Sequence, residues 1–113
     1  MSDISVKRRG ERVKISGEMT IYHSAQLKTE LGAILVRNGN MELDLSDVSE
    51  LDSAGFQVLA LFRRETIEQG KQFRLMKCSA PVSAVLKMFQ VDWSGYNADR
   101  VVSAAANGSS EGI

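Results

Sequence analysis

The stretch Ser46-Asp47-Val48-Ser49-Glu50-Leu51-Asp52-Ser53-Ala54-Gly55-Phe56 lies between two different periodicities. Ahead of it, Met41-Glu42-Leu43-Asp44-Leu45 alternates apolar with acidic residues, the pattern of a half-buried strand. Behind it, Phe56 to Gln69 carries apolar residues at helical spacing with no breaker until Gly70. Asp52 and Ser53 are therefore expected at the point where a strand has ended and a helix begins. The first backbone N–H groups of a helix lack partners within it, and Asp and Ser both accept hydrogen bonds from them well. The same point favours negative charge, so a phosphate would be tolerated there. Ser53 reads either as a plain cap or as a switch.

Working outward, the segments on both sides alternate strand with helix. Ile4 to Arg8 and Arg12 to Ser16 alternate apolar with polar residues about the turn Arg9-Gly10-Glu11, predicting an N-terminal hairpin. Tyr22 to Arg37 is a predicted helix capped by Thr20 or Ser24. Asn38-Gly39-Asn40 stops it through residues that tolerate the left-handed conformation. The helix after Ser53 presents Phe56, Leu59, Phe62 and Thr66 as one stripe, with Val58 and Leu61 beside it. Gln72 to Met76 is a further strand, and Ser79-Ala80-Pro81 starts a short helix carrying Val82, Val85, Leu86 and Phe89. Val91-Asp92-Trp93 either returns to the sheet or covers its end, and a last helix is expected from about Asn97.

The order β-β-α-β-α-β-α implies an α/β domain with right-handed crossovers and a mixed sheet of about four to five strands. A length of 113 residues suits one domain, placed at residues 4–105, followed by a frayed tail over 106–113.

Composition narrows the function. The apolar fraction is 43% and the charged fraction 25%, ordinary for a globular chain, and 14 basic residues balance 14 acidic ones. That is not the footprint of a nucleic-acid binder. The nearest approach, Lys7-Arg8-Arg9 with Arg12 and Lys14, reads as a solvated hairpin offset by Glu11. No apolar run approaches the roughly 20 residues of a membrane helix, and the N-terminus shows no signal-peptide pattern. A lone cysteine, Cys78, precludes an internal disulfide and suggests a buried inert thiol in a cytoplasmic setting. With one Cys and one His, no metal site is expected, and no cofactor.

Catalysis finds little support. Leu51-Asp52-Ser53-Ala54-Gly55 falls short of the nucleophile elbow G-x-S-x-G because Leu51 stands where the first glycine belongs. The only imidazole, His23, is not placed beside Ser53 by any pattern. Nucleotide-binding glycine loops are absent from the sequence. The carboxylates Asp44, Asp47, Glu50 and Asp52 read as a polar rim about one loop.

Ser16-Gly17-Glu18, Leu43-Asp44-Leu45-Ser46-Asp47-Val48, Leu51-Asp52-Ser53-Ala54-Gly55, Gly70-Lys71 and Ala80-Pro81-Val82 together resemble the STAS domain of bacterial anti-sigma factor antagonists. The resemblance covers roughly residues 4 to 95. It implies a single-domain signalling protein that is not an enzyme and acts in regulation of transcription. Its partners would be an anti-sigma factor that is also a serine protein kinase, and a PP2C-type phosphatase. Carried over, the phospho-acceptor is Ser53, with Asp44, Asp47, Glu50, Asp52, Ser53, Ala54, Gly55 and Gln57 at the partner surface. Ala54 stands where many antagonists carry a second hydroxyl, leaving one acceptor in the motif. Gly17-Glu18-Met19-Thr20-Ile21-Tyr22 looks more like STAS proteins of chemotaxis-type signalling clusters. Two other readings stay open: an accessory subunit of a lipid-transport ABC complex, and a small enzyme using Ser53.

Overall fold

The computed structural model describes residues 4–91 and Trp93. Chain order is β1 (Ile4–Arg9), β2 (Arg12–Met19), α1 (Ser24–Arg37), β3 (Met41–Leu51), α2 (Ser53–Glu68), β4 (Phe73–Cys78) and α3 (Ala80–Met88). The four strands form one mixed sheet in the order β1-β2-β3-β4. β1 and β2 are antiparallel, while β3 runs parallel to both β2 and β4. The expected last helix and tail lie outside the described residues.

The sheet grows in one direction, so the right-handed crossovers through α1 and α2 lay both helices on the same face. Val13, Ile15, Met41, Leu43, Leu45, Phe73 and Leu75 project into that face and are buried. Leu27, Leu31 and Leu35 of α1 and Val58, Leu59 and Phe62 of α2 meet them. Val82 and Leu86 of α3 join the same core. Trp93 is buried against it, stacked on Phe56 at 5.5 Å and edge-on to Phe73. Of the segment expected either to return to the sheet or to cover its end, Val91 and Trp93 pack on the core and belong to no strand, while Asp92 lies outside the described residues. The other face of the sheet carries Arg12, Lys14, Glu42, Asp44 and Arg74, each exposed or half-buried.

Several local expectations need correction. β3 does not stop at Leu45; it continues through Ser46–Glu50 to Leu51. The alternation breaks there because β3 carries extra residues relative to β2. Lys14 and Ser16 pair with Asp44 and Asp47, and Gly17 and Glu18 pair with Val48 and Glu50. Each bulge resets which residues face inward, so Val48 and Leu51 are buried although their spacing is not two.

α1 begins at Ser24 rather than Tyr22, and neither Thr20 nor Ser24 caps it. His23 occupies the cap position without a side-chain bond, and Ser24 Oγ donates instead to the carbonyl of Ile21 at 3.3 Å. At its other end no left-handed residue is used. Asn38 is extended, and its backbone N–H returns to Ile34 O. Its buried amide accepts from Arg8 Nε at 2.7 Å, so the stop is made by side-chain bonding. Gly10 and Gly70 do take positive φ, as turn glycines should. Ser79 caps α3 and Pro81 lies in its first turn. Within the predicted stripe of α3, Phe89 is partly exposed and stacks on Phe56 at 4.3 Å. Cys78 is only half-buried; burial, then Asp44, push its thiol pKa up.

Candidate functional site

Asp52 builds the site. Its backbone is extended where β3 ends, and its two carboxylate oxygens take different partners. Oδ1 accepts from Gly55 N at 2.9 Å, closing the first turn of α2. Oδ2 accepts from Ile21 N at 3.0 Å, tying down the loop between β2 and α1. Its own N–H donates to Met19 O at 3.3 Å, and its carbonyl accepts from Phe56 N at 2.9 Å. One acid thus joins the end of β2, the loop after it and the start of α2.

Gly55 is required by the same close packing. A Cβ there would collide with the carbonyl of Met19 and lie 2.8 Å from Leu51 Cδ1. It is buried, so it shapes the exposed surface at the head of α2 without forming part of it.

Ser53 does not cap α2. It is the first helical residue, exposed, and among the described residues its hydroxyl has no hydrogen-bond partner. The cap role belongs to Asp52, since an N-cap accepts from the N–H two or three residues on. The N–H groups of Ser53 and Ala54 also find no acceptor among the described residues. The result is an exposed hydroxyl at the positive end of a 16-residue helix, beside two unused donors.

Next to it, α1 and α2 leave a shallow groove of about 340 Å³ lined by Ile21, Ser24, Lys28, Ala54, Gln57, Val58 and Leu61. Ile21 and Tyr22 stand out from the loop above, 66% and 87% exposed. Thr20 Oγ1 beneath them is buried with no partner among the described residues. Sequence reasoning placed Tyr22 inside a helix and missed it as a surface residue. The signal was present in Gly17-Glu18-Met19-Thr20, where strand pattern gives way before helical spacing is established.

The expected site residues separate into two groups. Asp52, Ser53, Ala54 and Gln57 gather at the start of α2, with Glu50 exposed just before it, opposite Glu18 in register. Asp44 and Asp47 do not lie in a loop at this junction. They stand within β3, eight and five residues before Asp52. Asp44 accepts from Ser46 Oγ at 2.6 Å and from Ser46 N at 3.0 Å, which holds its carboxyl below the usual range. Asp47 forms an ion pair with Lys14 at 3.0 Å, and this contact raises the lysine pKa. Both belong to the open face of the sheet.

Among the described residues, no three His, Cys, Asp or Glu side chains stand together as a metal site. No described helix is long and apolar enough to cross a membrane.

Comparison with known proteins gives the same architecture. An anti-sigma factor antagonist from Mycobacterium paratuberculosis superposes with a TM-score of 0.66 at 19% identity, over 80% of this chain and 79% of that one. The anti-sigma factor antagonist SpoIIAA in its unphosphorylated form gives 0.67 at 17% identity, over 81% and 85%. RsbS of Moorella thermoacetica, carrying a serine-to-glutamate substitution, gives 0.60 at 20% identity, over 81% of each chain. At these identities the likeness establishes the fold. The family model described as "Mlab, STAS domain" matches residues 3–94, which include every element from β1 to α3. The chain belongs to the STAS-domain family.

Proposed function

We propose that this STAS domain is a phosphorylation-regulated protein-binding switch of the anti-sigma factor antagonist kind. One observation carries the reading: the Ser53 hydroxyl is exposed at the start of α2 and unused by the fold, and the next residue, Ala54, lines the groove between α1 and α2. With the hydroxyl bare, a partner that is both an anti-sigma factor and a serine protein kinase docks on the groove and on Ile21, Tyr22, Ala54 and Gln57. Phosphorylation of Ser53 adds roughly −1.5 to −2 charges at neutral pH beside Asp52 and Glu50. The helix N-terminus accommodates that charge, so the fold is retained. The docked partner does not accommodate it: a contact fitted to a hydroxyl meets bulk and an unpaired charge, at a cost of several kcal/mol. Removal of the phosphate by a PP2C-type phosphatase resets the surface. The switch acts by local exclusion in the cytoplasm and needs no catalysis by this chain.

A second reading is an unphosphorylated adaptor, such as an accessory subunit of a lipid-transport ABC complex or a component of a chemotaxis-type cluster. Its support is that the groove and the exposed Ile21 and Tyr22 are complete without any phosphate.

Incubation with candidate serine protein kinases, followed by mass-spectrometric mapping, tests the switch. Modification at Ser53 is expected. Stoichiometric modification elsewhere with Ser53 untouched would sink the proposal. Equal partner affinities for Ser53→Ala and Ser53→Asp would favour the adaptor.

A further inference from the structure

At the other end of the sheet, the β1–β2 hairpin places like charges face to face. Lys7 lies directly opposite Lys14, and Arg9 opposite Arg12, in successive same-face pairs. Directly opposed residues of an antiparallel pair have Cα atoms about 4.5–5.5 Å apart, and like charges so placed destabilise the pairing. Neutralisation is incomplete. Lys14 has Asp47 at 3.0 Å, but Arg12 meets Glu42 only at 4.0 Å, and Glu42 is shared with Arg74 at 3.8 Å. Among the described residues neither Lys7 nor Arg9 has a carboxylate partner. Lys7, Arg8, Arg9, Arg12 and Lys14, with Asp44, line an open concavity of about 400 Å³. Charge on an edge strand discourages pairing with other chains, which accounts for Lys7 and Arg9. Arg12 and Lys14 lie on an interior strand, where that explanation does not reach.

We propose that this face of the hairpin is a docking surface for an acidic, extended peptide segment of a partner protein. The width of the charge selects that occupant. β3, the next strand, carries Glu42, Asp44 and Asp47 on the open face, so the cationic surface is two strands, or about 10 Å, wide. A bilayer surface or a nucleic-acid duplex would also cover that acidic row and be repelled by it. An extended peptide would not, and its alternate side chains, about 6.8 Å apart, match the spacing of Lys7 and Arg9 along β1. The acidic segment supplies the missing countercharges of both like-charged pairs. This surface is separate from Ser53. β2 runs from Arg12, in the hairpin, to Met19, beside the start of α2, which puts the two ends about 23 Å apart.

The test uses a fluorescein-labelled ten-residue peptide with glutamate at alternate positions, titrated with the full chain and followed by fluorescence anisotropy. Saturable binding is expected, weakening as salt rises. Lys7→Gln combined with Arg9→Gln is expected to weaken it roughly tenfold or more, and Lys7→Arg to preserve it. Ser53→Asp should leave it unchanged, which separates this surface from the switch. Relief of repulsion is also expected to hold or raise the melting temperature of Lys7→Gln, by up to about 5 °C. Three results would overturn the proposal: no peptide binding, equal binding by the double variant, or stronger binding to vesicles of anionic phospholipid or to a DNA duplex than to the peptide.

Discussion

At the scale of single residues, the site rests on a division of labour between Asp52 and Ser53. Asp52 accepts from Gly55 N and Ile21 N, and so does the structural work at the head of α2. Ser53 does none of it. Asp52→Ala is expected to lose about 1–2 kcal/mol in chemical denaturation, the size of a lost N-cap with a further backbone bond. Ser53→Ala should stay within about 0.5 kcal/mol of the parent, as an exposed position without partners. Gly55→Ala should be worse than either, by more than about 2 kcal/mol, because its Cβ meets backbone that cannot rotate away. Sequence reasoning could not divide the two roles. Asp and Ser are nearly equivalent caps, and which one sits one residue outside the helix depends on where β3 releases the chain. The need for glycine at position 55 was equally hidden, since it comes from Met19, 36 residues away in the chain.

At the scale of elements, β3 connects the two ends of the molecule. Its two bulges allow ten residues, Glu42 to Leu51, to pass across eight of β2 while Val48 and Leu51 still reach the core. The order of elements along the chain and the three described helices were legible because periodicity, Gly10, Gly70 and Pro81 report local conformation directly. The second half of β3 was not legible, because a bulge breaks the alternation by which a strand is recognised. Asp47 was therefore expected in a loop it does not occupy, and Asp44 at the end of a strand that in fact runs on to Leu51. Asp44 offers a test of this region. Its pKa in the fold is lowered, first by the Ser46 hydroxyl and then by the Ser46 N–H. A depressed carboxylate adds stability that is complete above the unfolded value, near pH 4, and is lost as pH falls through the folded value. Urea midpoints should show the parent more stable than Asp44→Asn at pH 7, with the gap closing toward pH 2. A gap independent of pH would contradict the assignment. On the neighbouring strand, burial and Asp44 raise the Cys78 thiol, so alkylation by iodoacetamide at pH 8 should be slower than for a small free thiol.

At the scale of the whole molecule, one face of the sheet is spent on the core and the other is charged and open. The proposed switch lies at the end of the sheet where β3 enters α2, on the helix-covered side. There, exposed apolar residues meet the unsatisfied helix start, and a modification can change binding without disturbing the core. The test of the whole account is the affinity of a kinase-type partner for the chain before and after full phosphorylation of Ser53, with circular dichroism recorded on both forms. The account predicts at least a roughly hundredfold weaker complex, for a cost of several kcal/mol, with an unchanged spectrum and melting temperature. Equal affinities, or a loss of affinity accompanied by unfolding, would contradict it.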